Sequence, residues 1–155
     1  MAYWLLKSEP DVFGWDHLLA CKNQQEPWDG IRNYQARNFI RDDMRDGDLA
    51  FFYHSNTATP GIVGICQIVG DAQPDPTQFD PDNKYHDPKS SPENPRWLLR
   101  EVKAVRPLNR LISLAELKDL ATELTDFPLV RRGNRLSIMP VSEEHWNFIL
   151  ALENR

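Results

Sequence analysis

Short apolar runs alternate with polar segments along this chain, and their periods predict a small set of elements. Tyr3 to Leu6, Leu49 to His54, Ile62 to Val69 and Trp97 to Val105 are rich in aromatic or β-branched residues and predict strands. The second and third of these are joined across Asn56 to Gly61 and predict a hairpin. Leu136 to Met139 predicts a last short strand. Helical spacing begins at Trp15 to Cys21, where Leu18 and Leu19 supply the apolar side and Pro10 closes the preceding strand pattern. It returns over Tyr34 to Met44 through Ala36, Phe39, Ile40 and Met44, with Asn33 as a natural N-cap and Gly47-Asp48 beyond the end. Ser113-Leu114-Ala115-Glu116 is a capping box that opens a short helix through Leu120, with Pro107 outside both this helix and the strand before it. Ser142 caps a terminal helix in which Val141 can staple onto Trp146, with Trp146, Ile149 and Leu150 as its buried side. Between Asp71 and Pro95 the chain holds six prolines and few aliphatics, which predicts a long surface excursion. Phe127 to Arg132 carries no decisive pattern.

Strands separated by helices, with hairpins and no regular strand-helix-strand repeat, predict an α+β fold with a mixed or antiparallel sheet. The 155 residues with 41% hydrophobic content suffice for one domain with a real core, spanning 1–155. Cys21 and Cys66 form no disulfide framework, and His17, His54, His86 and His145 have no metal-ligand spacing, so neither a metal nor a cofactor is expected. The amino terminus opens into a strand pattern without a basic leader, and no apolar run reaches membrane-spanning length. The expected location is cytoplasmic, or nuclear in a eukaryote, with no membrane partner.

A formal net charge of −5 excludes a protein that coats nucleic acid non-specifically, since that binding rests on many Lys and Arg side chains releasing counterions. The charge is uneven, however. Arg96, Arg100, Lys103, Arg106 and Arg110 face only Glu101 in their stretch, and Arg131, Arg132 and Arg135 cluster without an acid. Asp71, Asp75, Asp80, Asp82 and Asp87 gather elsewhere. Either one face is basic or these are ordinary solvated charges, and the sequence alone does not say which residues share a face.

The most informative chemistry lies in Trp28-Asp29-Gly30-Ile31-Arg32-Asn33-Tyr34-Gln35-Ala36-Arg37-Asn38-Phe39. An indole, a phenol, carboxamides and guanidiniums crowd a run that a plain core helix would fill with Leu, Ala and Glu. Aromatic faces stack on planar groups, while carboxamides offer paired donors and acceptors, so the run suits a nucleobase.

Together with Tyr3-Trp4-Leu5-Leu6-Lys7-Ser8-Glu9-Pro10, Phe51-Phe52-Tyr53-His54-Ser55 and Leu136-Ser137-Ile138-Met139-Pro140-Val141-Ser142, this run resembles the EVE domain family. The blocks occur in family order and reach from the first strand to the last helix. The resemblance implies a PUA-like mixed β-barrel surrounded by short helices, related to the YTH and ASCH domains. It also implies binding of RNA or of a modified base in DNA, such as a methylated cytosine. Tyr85-His86-Asp87-Pro88-Lys89 resembles a family motif near the ligand mouth, with His86 where relatives often carry a second Tyr.

The site expected from these readings has Trp28 and Tyr53 as its walls, with Asn33, Tyr34, Gln35, His54 and Ser55 as further base-binding residues. Lys7, Arg32, Arg37, Arg131 and Arg135 are expected to hold phosphates, and Tyr85, His86 and Asp87 to form a loop near the site. The partner is then DNA or RNA, single-stranded or with one base flipped out, and the oligomeric state stays open. Several residues carry a second reading. Trp28 can roof the barrel, His54 can be a core histidine, and capping explains Asn33 without any ligand. An enzyme is the alternative from another class: a small hydrolase of modified nucleosides with Lys7, Ser8, Glu9 and His54 as its catalysts, by analogy with ASCH relatives. Lys7 and Ser8 alternate across an extended segment, which weighs against that reading.

Overall fold

The computed structural model describes residues 1–155. Six strands form one sheet: β1 (Tyr3–Ser8), β2 (Gln25–Pro27), β3 (Leu49–His54), β4 (Gly61–Pro74), β5 (Leu98–Ser113) and β6 (Ile138–Val141). They lie in the order β2-β5-β4-β3-β1-β6. Only β1 and β3 run parallel, and every other neighbouring pair is antiparallel. The helices are short: α1 (Pro10–Phe13), α2 (Trp15–Ala20), α3 (Tyr34–Asn38), α4 (Leu114–Asp119) and α5 (Glu143–Leu152). This is the expected mixed sheet surrounded by short helices. The ladder leaves β2 and β6 unpaired with each other, and the sheet curls instead. Ile138 of β6 and Val102 of β5 line one small apolar cavity with Leu6, Trp28, Ile40 and Ile68.

Both faces of the sheet are covered, and strand periodicity sorts the side chains between them. Trp4 and Leu6 of β1 join Ala50 and Phe52 of β3 in one core, closed by α2, α3 and the Trp28 loop. Leu5, Phe51 and Tyr53 point the other way, into a second core closed by α4 and α5. There Trp146 stacks on Phe51 with centroids 3.9 Å apart and on Tyr3 at 4.6 Å. The expected caps are in place: the side-chain oxygens of Asn33, Ser113 and Ser142 accept from the amides of Ala36, Glu116 and His145. Val141 and Trp146 lie in the same core, as the staple requires, while Leu152 rather than Leu150 completes the buried stripe of α5.

Several expectations needed correction. The Tyr34 to Met44 helix is α-helical only to Asn38, and a π-helical turn, Phe39–Asp43, follows. The buried Arg100 guanidinium donates to the Ile40 carbonyl of that turn and to Gly70 O. Pro107 lies inside β5, opposite Gly64, because the register shifts between Ile62 and Gly64 and a proline lacking N–H is tolerated at such an irregularity. Helix α1 and strand β2 escaped the pattern altogether. Each is three or four residues long, below the window in which periodicity can be read.

The Asp71 to Pro95 excursion is tightly bonded rather than loose. Its first residues extend β4 through Pro74, and Pro76–Phe79 is a 3₁₀ turn. Fully buried Gln78 donates to Asp75 O and Trp97 O and accepts from Ser90 Oγ and the Trp97 amide. The basic stretch on β5 does not form a free face either. Arg100 is buried, Arg106 makes a paired contact with Glu153 at 2.7 and 2.9 Å, and Arg110 does the same with Glu116 at 2.7 Å.

Packing of α2 depends on the absence of a side chain at Gly64, where an added Cβ would sit 2.6 Å from the Trp15 ring. Gly64→Ala is therefore expected to destabilise the fold by about 1 to 3 kcal/mol, the usual cost of overpacking a filled core. The midpoint of urea unfolding measures this, and an unchanged midpoint would contradict the packing assignment.

Candidate nucleic-acid interface

The parallel strands β1 and β3 end together at Ser8 and His54, and the Ser55 amide donates to Ser8 O at 2.9 Å. Beyond these ends lies an open cleft of about 1010 Å³. One side is the strand-end group Lys7, Ser8, Glu9, Ser55 and Asn56, and another is the segment Glu26 to Arg32. Val12, Phe13, Lys84, Tyr85, Arg135 and Ser137 complete the lining.

Trp28 forms part of this lining while 9% exposed. Its amide donates to Arg100 O at 2.9 Å, which fixes the loop to β5, and its indole meets the Phe52 and Phe13 rings edge to face at 5.6 and 6.2 Å. Trp28 therefore roofs the core and at the same time lines the cleft. Gly30 turns the chain with φ +79°, and a Cβ there would lie 2.7 Å from the Tyr85 ring. Only glycine allows Tyr85 to close over this segment.

The loop is held by Asp75. This carboxylate is fully buried and accepts from Gly30 N at 2.8 Å, Arg32 Nη1 at 3.0 Å, and the Thr77 amide and hydroxyl at 2.8 and 2.5 Å. Burial alone would raise its pKa, but these donors outweigh burial and hold it below the usual carboxylate range. Arg32 uses all five of its N–H donors within the chain, on Tyr85 O twice, Ile31 O, Asp75 and Thr77. Its guanidinium also lies 5.5 Å from both the Tyr85 and Trp97 ring centroids. The expectation that Arg32 reaches a phosphate is therefore corrected: it is a rivet between the Trp28 loop and the proline-rich excursion.

The structure also separates Trp28 from Tyr53. Tyr53 is on the opposite face of β3 and lines a different cleft with Lys7 and Arg131. The alternation of side chains along a strand explains this, since Phe52 already faces Trp28 and Tyr53 must face away. His54 returns to the Trp28 face, but its Nε2 accepts from the Trp15 amide at 3.1 Å, and burial lowers its pKa. It is a neutral anchor for α2 outside the cleft lining. Ser55 is the one member of the Tyr53-His54-Ser55 group that reaches the cleft.

Asn33, Tyr34, Gln35 and Arg37 also lie outside both clefts. Asn33 is spent on its cap, and exposed Tyr34 stacks on Trp97 at 4.7 Å with Arg37 4.9 Å from its ring. Arg37 donates to Arg96 O and Asn38. Of the expected loop residues Tyr85, His86 and Asp87, only Tyr85 lines the cleft; Asp87 instead accepts from Trp97 Nε1 at 2.7 Å, which holds its pKa low.

The hydrolase set is dispersed as well. The Ser8 hydroxyl donates to Phe13 O at 2.5 Å, Glu9 accepts from Asn56, and His54 is turned to α2, so no base meets the hydroxyl. Several cleft residues escaped the sequence reading, among them Phe13, Lys84 and Ser137, and the most consequential chemically is Asp29, beside Trp28. Burial raises its pKa, with the Asp75 and Glu26 charges adding to the effect. Its signal was present as the Asp-Gly turn, which places a carboxylate at the tip of the aromatic loop.

A curled mixed sheet whose cleft opens past the ends of its parallel strands defines a PUA-like α+β domain. The chain belongs to the EVE domain family, whose model matches residues 2–152. Thymocyte nuclear protein 1 of Homo sapiens is 44% identical, with 99% of this chain and 75% of that protein aligned. A crystal structure from Pseudomonas syringae superposes with TM-score 0.91 at 48% identity, covering 98% of this chain and 99% of that one. The human THYN1 protein in complex with 5-methylcytosine containing DNA also gives TM-score 0.91, at 44% identity over 100% of this chain and 99% of that one.

Two pH-dependent effects are expected. Asp75 has a depressed folded-state pKa, so its stabilisation is full above about pH 3.9, its unfolded value, and is lost as pH falls through the folded value. Asp75→Asn should cost about 3 kcal/mol at neutral pH, as breaking a buried pair does, and should flatten the acid limb of the stability profile. Asp29 has the opposite sign. Its raised folded-state pKa means the ionised form opposes folding above that value, so Asp29→Asn should stabilise the free protein at neutral pH. The gain should vanish below about pH 3.9, where both states are protonated. Urea unfolding from pH 3 to 8 tests both, and parallel profiles for wild type and variants would refute the two assignments.

Proposed function

We propose that this protein is a reader of modified bases in DNA that accepts one cytosine carrying a 5-methyl group in the cleft over Trp28. The cleft supports the reading by its chemistry. Trp28, Phe13 and Tyr85 offer apolar and aromatic surface, and Asp29, Ser8, Ser55 and Ser137 offer the few polar groups that a base edge needs. The observation that carries it is the pairing of Trp28 with Asp29 at this cleft, in a chain 44% identical to a protein crystallised with 5-methylcytosine DNA. Asp29 takes the cytosine edge. An ionised carboxylate accepts from the exocyclic N4 amine.

The energetics favour an unpaired or flipped base. Extrusion from a duplex costs a few kcal/mol, and stacking returns about 1 to 3 kcal/mol, so the polar contacts must supply the remainder. Burying the 5-methyl group against Phe13 and Trp28 contributes about 0.8 kcal/mol, which corresponds to about fourfold discrimination. A DNA partner also fits the nuclear designation of the vertebrate relatives. Those relatives give no support to the cytoplasmic location or to the RNA partner expected from sequence.

Fluorescence anisotropy with oligonucleotides that carry one cytosine or one 5-methylcytosine, as single strands and as duplexes, tests the reading. The methylated form should bind about fourfold more tightly. Trp28→Ala should weaken binding by about 1 to 3 kcal/mol, and Asp29→Ala should remove the preference for 5-methylcytosine over thymine, which shares the methyl group but lacks the amine. Equal affinity for methylated and unmethylated strands would refute the proposal.

A further inference from the structure

A second cleft, of about 420 Å³, opens on the other face of β1 and β3. It is lined by Lys7, Lys118, Arg131 and Arg132, with Tyr53 and Asn134 among the remaining residues and no carboxylate anywhere in the lining. The base cleft differs: there Lys7, Arg32, Lys84 and Arg135 stand against Glu9, Glu26 and Asp29, and Arg32 is consumed internally. An anion brought to this end of the molecule is drawn to the second cleft, where positive charge is not offset locally.

The charge is backed by a phenol that has no partner within the chain. Tyr53 is 2% exposed and lines the second cleft, and its phenol makes no hydrogen bond within the chain. The phenol oxygen is not among the sealed polar atoms of the fold and opens to this cleft, and a donor left free at the base of a basic cleft is suited to a ligand oxygen. Burial pushes the phenol up to about 12, so it remains a donor at neutral pH. Lys7 stands 5.9 Å from the Tyr53 ring centroid, half-buried, and lines both clefts. The turn that carries Arg131 and Arg132 to the second cleft also carries Arg135 to the first.

We propose that this second cleft is a phosphate site, in which the Tyr53 phenol, Lys7, Arg131 and Arg132 hold a backbone phosphodiester next to the base seated over Trp28. The proposal rests on the base-reading function for the identity of its ligand. It rests on the second cleft alone for the binding of phosphate. Tyr53 then serves the nucleic acid through its hydroxyl, on the far side of the sheet from the base. Because such contacts read no sequence, they set affinity and register and leave discrimination to the first cleft.

The test uses the full chain and a single-stranded oligonucleotide with one 5-methylcytosine, together with versions in which one linkage at a time is an uncharged methylphosphonate. One linkage beside the modified base should matter, with about tenfold loss for wild type, the scale of a hydrogen bond to a charged group. Tyr53→Phe, which keeps the ring and its packing, should weaken the parent strand about tenfold and become indifferent to that linkage, with the ratio of methylated to unmethylated binding unchanged. An Arg131→Ala/Arg132→Ala double variant, altered only at exposed side chains, should behave in the same way and guards against a folding defect in Tyr53→Phe. Wild-type affinity in both variants overturns the proposal, as does undiminished sensitivity to the linkage.

Titration with inorganic phosphate, followed by tyrosine ring NMR signals, separates this proposal from the base reading. If no oligonucleotide binds, the base reading fails. A phosphate-induced shift of Tyr53 that disappears in the double variant still supports the anion site, and no shift refutes it. If phosphate shifts Tyr53 while both variants bind every oligonucleotide as wild type does, the cleft serves a free anion and the backbone assignment is overturned.

Discussion

The buried ion pair between Asp75 and Arg32 holds the rest of the site in place. Two long segments of low regularity meet there: the loop that follows β2 and the proline-rich excursion between β4 and β5. Neither has a hydrophobic stripe strong enough to dock it on the core. A carboxylate with no solvent exposure must be fully hydrogen-bonded to be tolerated, and Asp75 meets that condition with donors drawn from both segments. Because Arg32 in turn binds two main-chain carbonyls and lies between the Tyr85 and Trp97 rings, moving one segment would leave charge unpaired in the other. The cleft is preorganised as a consequence, with Trp28 and Tyr85 held at their separation before a ligand arrives.

Asp29 shows the complementary cost. It lies at the same loop tip, close enough to Asp75 and Glu26 for both to disfavour its charge. A sequence selected only for stability would place Asn there. A carboxyl whose charge is disfavoured at the mouth of a cleft is the kind of local violation that functional sites carry.

What could be read in the sequence followed the range of the interaction responsible. Strands β1, β3 and β4, the caps at Asn33, Ser113 and Ser142, and the stripe of α5 are local, and the chain states them directly. Trp28 stood out because an indole beside Asp-Gly is a poor core signal, and the structure brings it to the cleft. The misreadings have two causes. Tyr53 reads as a wall because it ends an apolar strand beside polar His54 and Ser55, yet the alternation that separates Lys7 from Ser8 also puts Phe52 and Tyr53 on opposite faces. Arg32 and Asp75 looked like free surface charges, since nothing between residues 32 and 75 announces that they meet. Long-range pairing of charges through an irregular loop leaves no periodic trace.

The two-faced sheet also determines how a ligand can be engaged. Strand β1 carries Leu6 and Ser8 to one face and Leu5 and Lys7 toward the other, and the Lys7 side chain is long enough to line both clefts from the strand's end. A nucleic-acid strand seated at this edge meets aromatic and carboxylic groups on one side of β1, and guanidinium, ammonium and phenol groups on the other. Stacking and edge reading require a site where charge is nearly balanced, because excess positive charge would favour any phosphate over the correct base. Phosphate capture requires the reverse. Separating the two functions across the thickness of one sheet allows each to be met, and under the proposed reading an acidic chain of net charge −5 engages DNA through a few concentrated cations.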